Sequence, residues 1–413
     1  MTEGVTIKPI DADSVITSDF ETAQYAWRDA NSFVHGAAEC DRAIMAGHLE
    51  PVPAADVERS LELGHVHPWT VVQQSADKWR SCQDYSSVTN RRVATSPFTL
   101  PSVWDVRRAV KPGTHFAKYD LRDGFWSVPV AVGSRHHLMV RHPATGQLLR
   151  CTSLPFGYAL SPLHFCDVTE SVATLFRRRV VGLGIQCWVF VDDYLIAGDT
   201  EEATREGMRI FEELLAELGL PWAPHKLRGP TRVIEFLGFL LVNAPERQCI
   251  ALTASRQRRM IEMIDTWLQR RPADGEVARA APLELAQLLG HLVFISDVVP
   301  GGRTYMQAML RQFRGLEVDW ARGAVRHAHG AWREMTLEGG FWRDLVWWRS
   351  AMRRANCTPM SAPAVGEAAV AGSDASDYAC GELVWLDGGR EETQLVFTRA
   401  ERRRPINFRE LRG

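Results

Sequence analysis

Residues 187–198 read CWVFVDDYLIAG and place two adjacent acids inside an apolar stretch. The apolar run from Trp188 to Val191 precedes Asp192 and Asp193, and more apolar residues follow, which predicts a buried strand. Burying an unpaired carboxylate costs on the order of several kcal/mol, so we expect cations beside these acids. A lone pair of acids usually marks a salt-bridged or exposed strand end. A metal site therefore requires further carboxylates elsewhere in the chain.

An apolar strand that ends in two acids is also typical of the Walker B segment of nucleoside triphosphatases. That class needs the phosphate-binding loop GxxxxGK[ST] upstream. The sequence contains no Gly-Lys dipeptide, which nearly excludes it. The alternative is a two-metal site for phosphoryl transfer, in which the ions lie about 3.5–4 Å apart and a carboxylate from another segment completes the ligand set.

The third carboxylate is best sought in KYDLRDGFWSVPV, residues 118–130, where Asp120 also ends a short apolar strand. YDLRDGFWSVPV resembles the first catalytic motif of reverse transcriptases. LPFGYALSP (154–162) resembles the second motif, and FVDDYLI (190–196) resembles the third. The resemblance implies that Asp120 and Asp192 bind two Mg²⁺ ions, with Asp193 alongside and Mn²⁺ as a plausible substitute.

The resemblance extends to segments outside these three motifs. DKWRSCQDY (77–85) is similar to the fingers segment whose arginine binds the incoming triphosphate, which implies that role for Arg80 with Lys78 beside it. HKL (225–227) before EFLGFLL (235–241) resembles the lysine motif and the primer-grip turn. Lys226 is therefore expected to protonate the pyrophosphate leaving group or to balance its charge.

The resemblance also implies a deoxynucleotide pocket. Phe125 matches the steric gate, an aromatic ring that collides with a ribose 2′-hydroxyl. Phe156 is expected to offer apolar surface to the nascent base pair, and Gly157 to let the backbone approach the substrate closely. The plainer interpretation of Phe125 is a core aromatic residue, since Trp126 and Val128 flank it.

The local patterns predict an α+β fold. Helices are expected from Ser161 to about Arg179 and from Asp199 to Gly219, with the acidic strand between them and another strand at 233–242. This order predicts short helices on one face of an antiparallel sheet. The resemblance implies a right-hand polymerase with fingers, palm and thumb. The expected regions are an acidic N-terminal extension (1–68), fingers and palm (69–250), a thumb-like helical region (251–315), a connection and linker (316–365) and a truncated ribonuclease H-like β segment (366–413).

Composition and charge agree with a globular nucleic-acid-binding protein. The chain has 413 residues, of which 46% are hydrophobic and 24% charged. Residues 1–70 carry 4 basic and 12 acidic side chains, whereas residues 251–360 carry 16 arginines and 11 acids. We therefore expect any polyanion to meet the later region. The resemblance implies that this polyanion is a primed RNA or DNA template and that deoxynucleotides are the small substrates. No apolar run approaches the roughly 18 residues of a membrane span, and the start lacks a signal-peptide pattern, so an intracellular location, cytoplasmic or nuclear, without membrane partners is expected.

Two stretches at the end of the chain resemble ribonuclease H. GSDASDYACGELVW (372–385) is similar to its first strand, which implies a catalytic acid at Asp374, and INFREL (406–411) resembles the start of its first helix, with an acid at Glu410. The other carboxylates of such a site do not follow, so we expect no RNA-strand cleavage.

Segments after the predicted palm indicate the subfamily of the element. The segment 285–310 and DLVWWRSAM (344–352) most resemble DIRS-type elements, with gypsy-type elements as the near competitor. The sequence leaves open a catalytically inactive relic that only binds nucleic acid, a fragment of a longer polyprotein, and the oligomeric state.

Overall fold

The computed structural model describes residues 4–8, 10, 24, 27, 29–75, 78–273, 278–354, 356–360, 370–375, 379–386 and 389–398. The chain divides into two compact units, Met1–Met360 and Ser361–Gly413. The helices of the first unit are α1 (Ala30–Met45), α2 (Val57–Leu63), α3 (Val103–Ala109), α4 (Ser161–Arg179), α5 (Glu201–Leu218), α6 (Ala254–Leu268), α7 (Pro282–Ile295), α8 (Gln307–Leu310) and α9 (Gly339–Met352).

The strands of the first unit fall into three groups along the chain. The first group precedes α4 and consists of β1 (Leu49–Pro51), β2 (Val66–His67), β3 (Trp69–Ser75), β4 (Lys78–Gln83), β5 (His115–Asp120), β6 (Met139–Arg141) and β7 (Leu148–Cys151). The second group is β8 (Ile185–Phe190), β9 (Asp193–Gly198), β10 (Arg228–Thr231), β11 (Val233–Phe236), β12 (Phe239–Ala244) and β13 (Arg247–Leu252). The third group is β14 (Ala278–Ala280), β15 (Leu316–Asp319), β16 (Ala324–His327), β17 (Met335–Leu337) and β18 (Cys357–Pro359).

The sheet that carries the acidic hairpin has the strand order β10-β5-β9-β8, and all its neighbouring strands are antiparallel. Helices α4 and α5 pack on one face, where Tyr119, Val189 and Tyr194 belong to the same apolar cluster as Phe176 and Phe211. The other face belongs to a second cluster, which joins residues of α3 and the β11–β13 strands to those of the helices from α6 onward. The predicted palm arrangement of short helices on one face of an antiparallel sheet is therefore observed.

The helix boundaries around this sheet follow the local sequence signals closely. Helix α4 begins at Ser161 with proline in its first turn, as predicted. Helix α5 ends before Gly219, which has a φ of 66° and forms the left-handed cap that glycine favours. Its N-cap is Thr200, whose side chain accepts a hydrogen bond from the Ala203 amide, instead of the predicted Asp199. Asp199 forms an ion pair with Lys111, and this long-range contact was not visible in the local pattern.

The strand predicted at 233–242 is a hairpin. Strands β11 and β12 pair antiparallel from Val233 with Val242 to Phe236 with Phe239. The two residues between them, Leu237 and Gly238, have φ angles of 50° and 76°, which reverse the chain. β12 continues the sheet through β13 to β18, so the order is β11-β12-β13-β18.

Residues 252–360 are only partly helical. Besides α6 to α9, this region contains the β15–β16 hairpin and the β14–β17 pair, and β14 lies within the region expected to be helical, 251–315. Helix α7 begins at Pro282 and ends at Ile295.

Part of the predicted N-terminal extension belongs to a sheet. β1 pairs with β7 in the order β1-β7-β6-β2, and α1 packs against β1, β3 and β4. The described part of the predicted N-terminal extension, residues 1–68, therefore contributes strands and helices to the first unit.

The second unit contains β19 (Val370–Ala375), β20 (Ala379–Leu386) and β21 (Gly389–Val396). These strands form an antiparallel sheet in sequence order. The β-like alternation of residues 372–385 predicted strands here.

Candidate active site

The two acids of residues 187–198 lie at the turn of the β8–β9 hairpin. Phe190 pairs with Asp193, so Val191 and Asp192 are the two turn residues. The φ of Val191 is 59°, and a positive φ at this position is the geometry of a type II′ turn, which usually has glycine there. For a β-branched residue this conformation is strained, at a cost of about 1–3 kcal/mol. The β8–β9 ladder therefore holds the Asp192 backbone in a turn that the local sequence disfavours.

Register across the sheet brings the third acid to the same place. Asp120, the last residue of β5, pairs directly with Asp193 of β9. The Leu121 amide donates a hydrogen bond to the Asp192 carbonyl oxygen at 3.2 Å. Directly opposed residues of an antiparallel pair share a face, with their Cβ atoms about 4.5–5.5 Å apart. The three acids that the sequence singled out therefore meet at one end of the sheet.

Two lysines neutralise two of these carboxylates. Lys226 Nζ lies 2.6 Å from Asp120 Oδ1, and Lys118 Nζ lies 2.9 Å from Asp193 Oδ2. Lys226 reaches Asp120 from a short 3₁₀ turn, Pro224–Lys226, which precedes β10. Like charges directly opposite each other destabilise a sheet, and these ion pairs offset that repulsion.

The pKa of the Asp192 carboxyl is raised by its surroundings. Burial raises the pKa of its carboxyl above the ordinary value, and the negative charges of Asp193 and Asp120 raise it further. A backbone hydrogen bond and the charge of Lys226 act in the opposite direction. The folded chain therefore disfavours the ionised form of Asp192, as expected where acids converge in a partly buried place.

The chemistry of the donor set fits a hard divalent cation, because three carboxylates converge and Mg²⁺ prefers oxygen ligands. Among the residues that the structure describes, no three His, Cys, Asp or Glu side chains are already grouped as metal ligands. The side chains of Asp120 and Asp193 instead bind lysines. A metal ion held by these acids would have to replace at least one lysine as their counter-charge.

A cleft of about 570 Å³ opens beside the acids. Asp120 and Asp193 line one side of it, and the Leu237–Gly238 turn between β11 and β12 lines another. Its basic lining residues are Lys118, Lys226 and Arg228. The cleft therefore joins the acidic sheet end to the segment that resembles a primer grip.

The residues predicted to bind deoxynucleotides form a second group. The guanidinium of Arg80 lies 5.7 Å from the centre of the Phe156 ring. The Phe156 and Phe125 ring centres are 4.9 Å apart, and Phe125 also packs edge-on against Phe165 of α4 at 5.4 Å. The structure thus brings Arg80, Phe125 and Phe156 together, with both rings half-buried. The Lys78 side chain lies outside the described part of the chain.

Gly157 lies where no other residue fits without rearrangement. Its φ is 97°, and an added Cβ would lie 1.8 Å from the Gln83 carbonyl oxygen at the end of β4. The Gln83 amide also donates to the Phe156 carbonyl oxygen at 3.3 Å. The 154–162 loop therefore runs against the strand that carries Arg80, in agreement with the close approach expected at this glycine.

Sequence reasoning missed two residues of the site. Asn90 fixes the 154–162 loop, since its Nδ2 donates to the Gly157 carbonyl oxygen and its Oδ1 accepts from the Ala159 amide, both at 2.9 Å. No local signal marked Asn90. Lys118 binds Asp193, and its signal was available, because the chain has only five lysines among 48 basic residues.

The structure describes only part of the segment that resembles ribonuclease H. Asp374 lies on β19, where it pairs with Gly381 of β20. Glu410 lies outside the described residues. A ribonuclease H site in this unit therefore stays a prediction.

Comparisons with known proteins agree with this geometry. The family described as "Reverse transcriptase (RNA-dependent DNA polymerase)" matches residues 63–241, which include all three acids and the nucleotide-pocket residues. Residues 63–241 are therefore similar to the reverse transcriptase domain family.

Curated relatives of this domain are retroviral and retrotransposon polyproteins. The Gag-Pol polyprotein of baboon endogenous virus is 27% identical over 195 residues, which cover 44% of this chain and 11% of the relative. The Gag-Pro-Pol polyprotein of bovine leukemia virus is 24% identical over 281 residues, 63% of this chain and 18% of the relative. The Pol polyprotein of transposon 412 from Drosophila melanogaster is 24% identical over 161 residues, 39% of this chain and 12% of the relative. The chain thus spans between a tenth and a fifth of the length of these relatives.

Solved structures show that the fold is that of a right-hand polymerase. A foamy viral protease-reverse transcriptase in complex with double-stranded DNA superposes with a TM-score of 0.64 at 18% identity, covering 98% of this chain and 62% of that one. The foamy viral enzyme in complex with an RNA/DNA hybrid gives a TM-score of 0.59 at 19% identity, covering 98% of this chain and 49% of that one. The predicted fold class is therefore confirmed.

Across the described residues, no helix combines the length and the apolar character that crossing a membrane requires.

Proposed function

We propose that the chain is an RNA-directed DNA polymerase of a retroelement, which extends a primer with deoxynucleotides on an RNA or DNA template. The observation that carries this proposal is the register that pairs Asp120 with Asp193 next to Asp192 in the hairpin turn. Three carboxylates at one sheet end, in a chain that also groups an arginine with two phenylalanine rings, suit nucleotidyl transfer better than a purely structural role.

Asp120 and Asp192 would hold Mg²⁺, with Asp193 beside them and Mn²⁺ as a substitute. When bound, the metal supplies Lewis acidity that activates the primer 3′-hydroxyl and stabilises the pyrophosphate. The raised pKa of Asp192 supports this role, because a concentrated negative charge is relieved when a cation binds.

Arg80 binds phosphate oxygens of the incoming deoxynucleotide. Its guanidinium group is exposed and lies over the Phe156 ring, at the rim of the pocket. Phe125 lies deeper, between Phe156 and Phe165, where a rigid ring would collide with a 2′-hydroxyl. This arrangement supports selection of deoxynucleotides over ribonucleotides.

Lys226 neutralises charge at the site and is placed to move a proton. Its Nζ contacts Asp120, and half of its side chain is exposed to the cleft and solvent. A lysine that exchanges a carboxylate partner for a phosphate oxygen can protonate the departing pyrophosphate.

The template and primer would lie along the region of α6 and α7. Arg256, Arg259 and His291 line a small cavity of about 150 Å³ near the N-terminus of α6, together with Thr253, Ser255, Met260 and Glu235. Arg256 also lies over the exposed Phe294 ring at 4.7 Å. Burial and the charges of Arg259 and Arg256 lower the pKa of His291. This concentration of positive charge next to the β11–β12 hairpin supports phosphate binding.

The motifs of residues 285–310 and 344–352 favour a DIRS-type element, with a gypsy-type element as the alternative. We also propose that Asp374 belongs to a remnant of a ribonuclease H strand. Sequencing of the flanking genomic DNA distinguishes the two element types by the integrase or recombinase gene that follows.

Primer extension on poly-rA/oligo-dT tests the polymerase proposal. We expect Mg²⁺-dependent incorporation of dTMP, and a loss of at least about a hundredfold in Asp120→Asn, because the variant loses a metal ligand. Asp199→Asn is the matched control, since Asp199 is an acid at the opposite end of the same hairpin. The proposal fails if Asp120→Asn incorporates dTMP at the rate of the control.

A further inference from the structure

Lys118 is a partly buried lysine inside the sheet that carries the acids. It lies on β5 two residues before Asp120, so both side chains leave the same face of the strand. It pairs in register with Leu195 of β9, which places it diagonal to Asp193. Its Nζ lies 2.9 Å from Asp193 Oδ2. A lysine in the sheet itself thus holds the second acid of the hairpin.

The two lysine–acid pairs of the site differ in burial. The difference lies in the lysines, since Lys118 is 23% exposed and Lys226 is 52% exposed, whereas their acids, Asp193 and Asp120, are 24% and 17% exposed. Solvent screens an exposed pair and leaves its lysine free to move. A pair at lower dielectric, anchored on two neighbouring strands, is stronger and better fixed. Lys226 is therefore the exchangeable partner, and Lys118 is the fixed one.

All four groups line the same cleft of about 570 Å³, so a hydrated cation can reach each carboxylate. Lys118 must then compete with any divalent cation for Asp193. Lys226, more exposed, gives up Asp120 more readily.

We propose that Lys118 is a positioning residue that acts as an internal counter-cation for Asp193, so that divalent metal is bound chiefly by Asp120 and Asp192. This inference rests on the proposed metal-dependent function and adds the role of Lys118, which keeps Asp193 from competing for the metal. Asp193 stays paired within the sheet, where it orients the end of β9 and the adjoining turn.

Binding of Mn²⁺ to the protein without nucleic acid or nucleotide tests this proposal. The signal of free Mn²⁺ in electron paramagnetic resonance gives the dissociation constant directly. We expect Lys118→Met to bind Mn²⁺ about three- to tenfold more tightly than the wild type, because Asp193 loses its competing cation. Lys118→Arg, which keeps the charge, returns the dissociation constant towards the wild-type value. Thermal melts establish that each variant is folded.

A double-mutant cycle separates action through Asp193 from a general change in charge. In an Asp193→Asn background, Lys118→Met should leave the Mn²⁺ dissociation constant unchanged. Equal tightening in both backgrounds, or unchanged or weaker Mn²⁺ binding by folded Lys118→Met, would overturn the role of Lys118. A wild-type protein that neither binds Mn²⁺ nor extends a primer would overturn the proposed function itself. A wild type that does both, with Lys118→Met unchanged, removes only this inference.

Discussion

The two ends of the β8–β9 hairpin carry the same residue types in different surroundings. At the turn end Asp193 pairs with Lys118, and the two side chains are 24% and 23% exposed. At the open end Asp199 pairs with Lys111, and the exposed fractions are 41% and 65%. An exposed pair of this kind contributes about 0–1 kcal/mol and is screened by salt. At the turn end Asp120 also faces Asp193 across the sheet. Neighbours and burial, more than residue type, therefore distinguish the candidate site.

Replacement of Gly157, in the loop that carries Phe156, should have the largest effect on stability and on primer extension. In Gly157→Ala the new Cβ meets the Gln83 carbonyl oxygen at 1.8 Å, at a φ of 97°. We expect the free energy of unfolding to fall by about 2–4 kcal/mol. Primer extension should fall by at least about a hundredfold, because the loop that carries Phe156 moves.

Gly182→Ala is the control at the open end of the hairpin. Gly182 also has a positive φ, of 81°, but an added Cβ would have no neighbour within 4 Å. Only the backbone strain of about 1–2 kcal/mol is expected, with primer extension unchanged. Denaturant melts and extension assays on both variants measure the difference. Equal loss of activity in the two variants would contradict the special position of the 154–162 loop.

The aromatic residues beside the acids should control sugar selection. In Phe125→Val the ring that packs between Phe156 and Phe165 is lost. We expect the preference for dTTP over UTP, measured as the ratio of kcat/KM values, to fall about tenfold or more. Trp126→Phe is the control, since Trp126 stacks on His48 instead. An unchanged ratio in folded Phe125→Val would show that Phe125 is only a packing residue.

Arg259 in the α6–α7 cavity and Arg205 near the open end of the β8–β9 hairpin should differ in their effect on nucleic-acid binding. Arg259→Ala removes a cation from the α6–α7 cavity, and we expect primer-template affinity to fall about three- to tenfold. The slope of log affinity against log salt should decrease by about 1, as for the loss of one phosphate contact. Arg205, which pairs with Glu201 close to the open end of the hairpin, is the control. Fluorescence anisotropy at several salt concentrations measures both, and equal slopes would exclude this path for the template and primer.

The smallest expected effect is a gain in stability at the turn end. Because the pKa of Asp192 is raised in the folded chain, the folded state binds more protons than the unfolded state in the window above the ordinary value of 3.8. Stability therefore falls as pH rises through that window. Asp192→Asn should melt at a higher temperature than the wild type at pH 7 without metal, and this advantage should vanish at low pH. Asp199→Asn should show no such gain, and a lower melting temperature for Asp192→Asn would contradict the electrostatic account.

Much of the palm could be predicted because its signals are local. Proline marked the start of α4 and glycine the end of α5. The single strand predicted at 187–198 is instead a hairpin that turns at Val191 and Asp192, because pairing with β5 and β8 fixes the chain reversal. Contacts between distant segments left no such trace. Examples are the pairing of β1 with β7, and the two hydrogen bonds of Asn90 to the 154–162 loop.

The structure brings together Asp120, Asp192, Asp193 and Lys226, whose roles in catalysis stay predictions. The partner of Asp193 depends on which face of β5 each residue occupies and on the register with β9, and both follow from the assembled sheet. Only the assembled fold connects Lys118 to an acid.

The most direct test of the central claim compares the wild type with Asp192→Asn in dTMP incorporation on poly-rA/oligo-dT, with Mg²⁺ and with EDTA. Three converging carboxylates predict incorporation by the wild type only when Mg²⁺ is present, and a loss of at least about a hundredfold in Asp192→Asn. Incorporation by Asp192→Asn at the wild-type rate, or wild-type incorporation that persists in EDTA, would contradict the account.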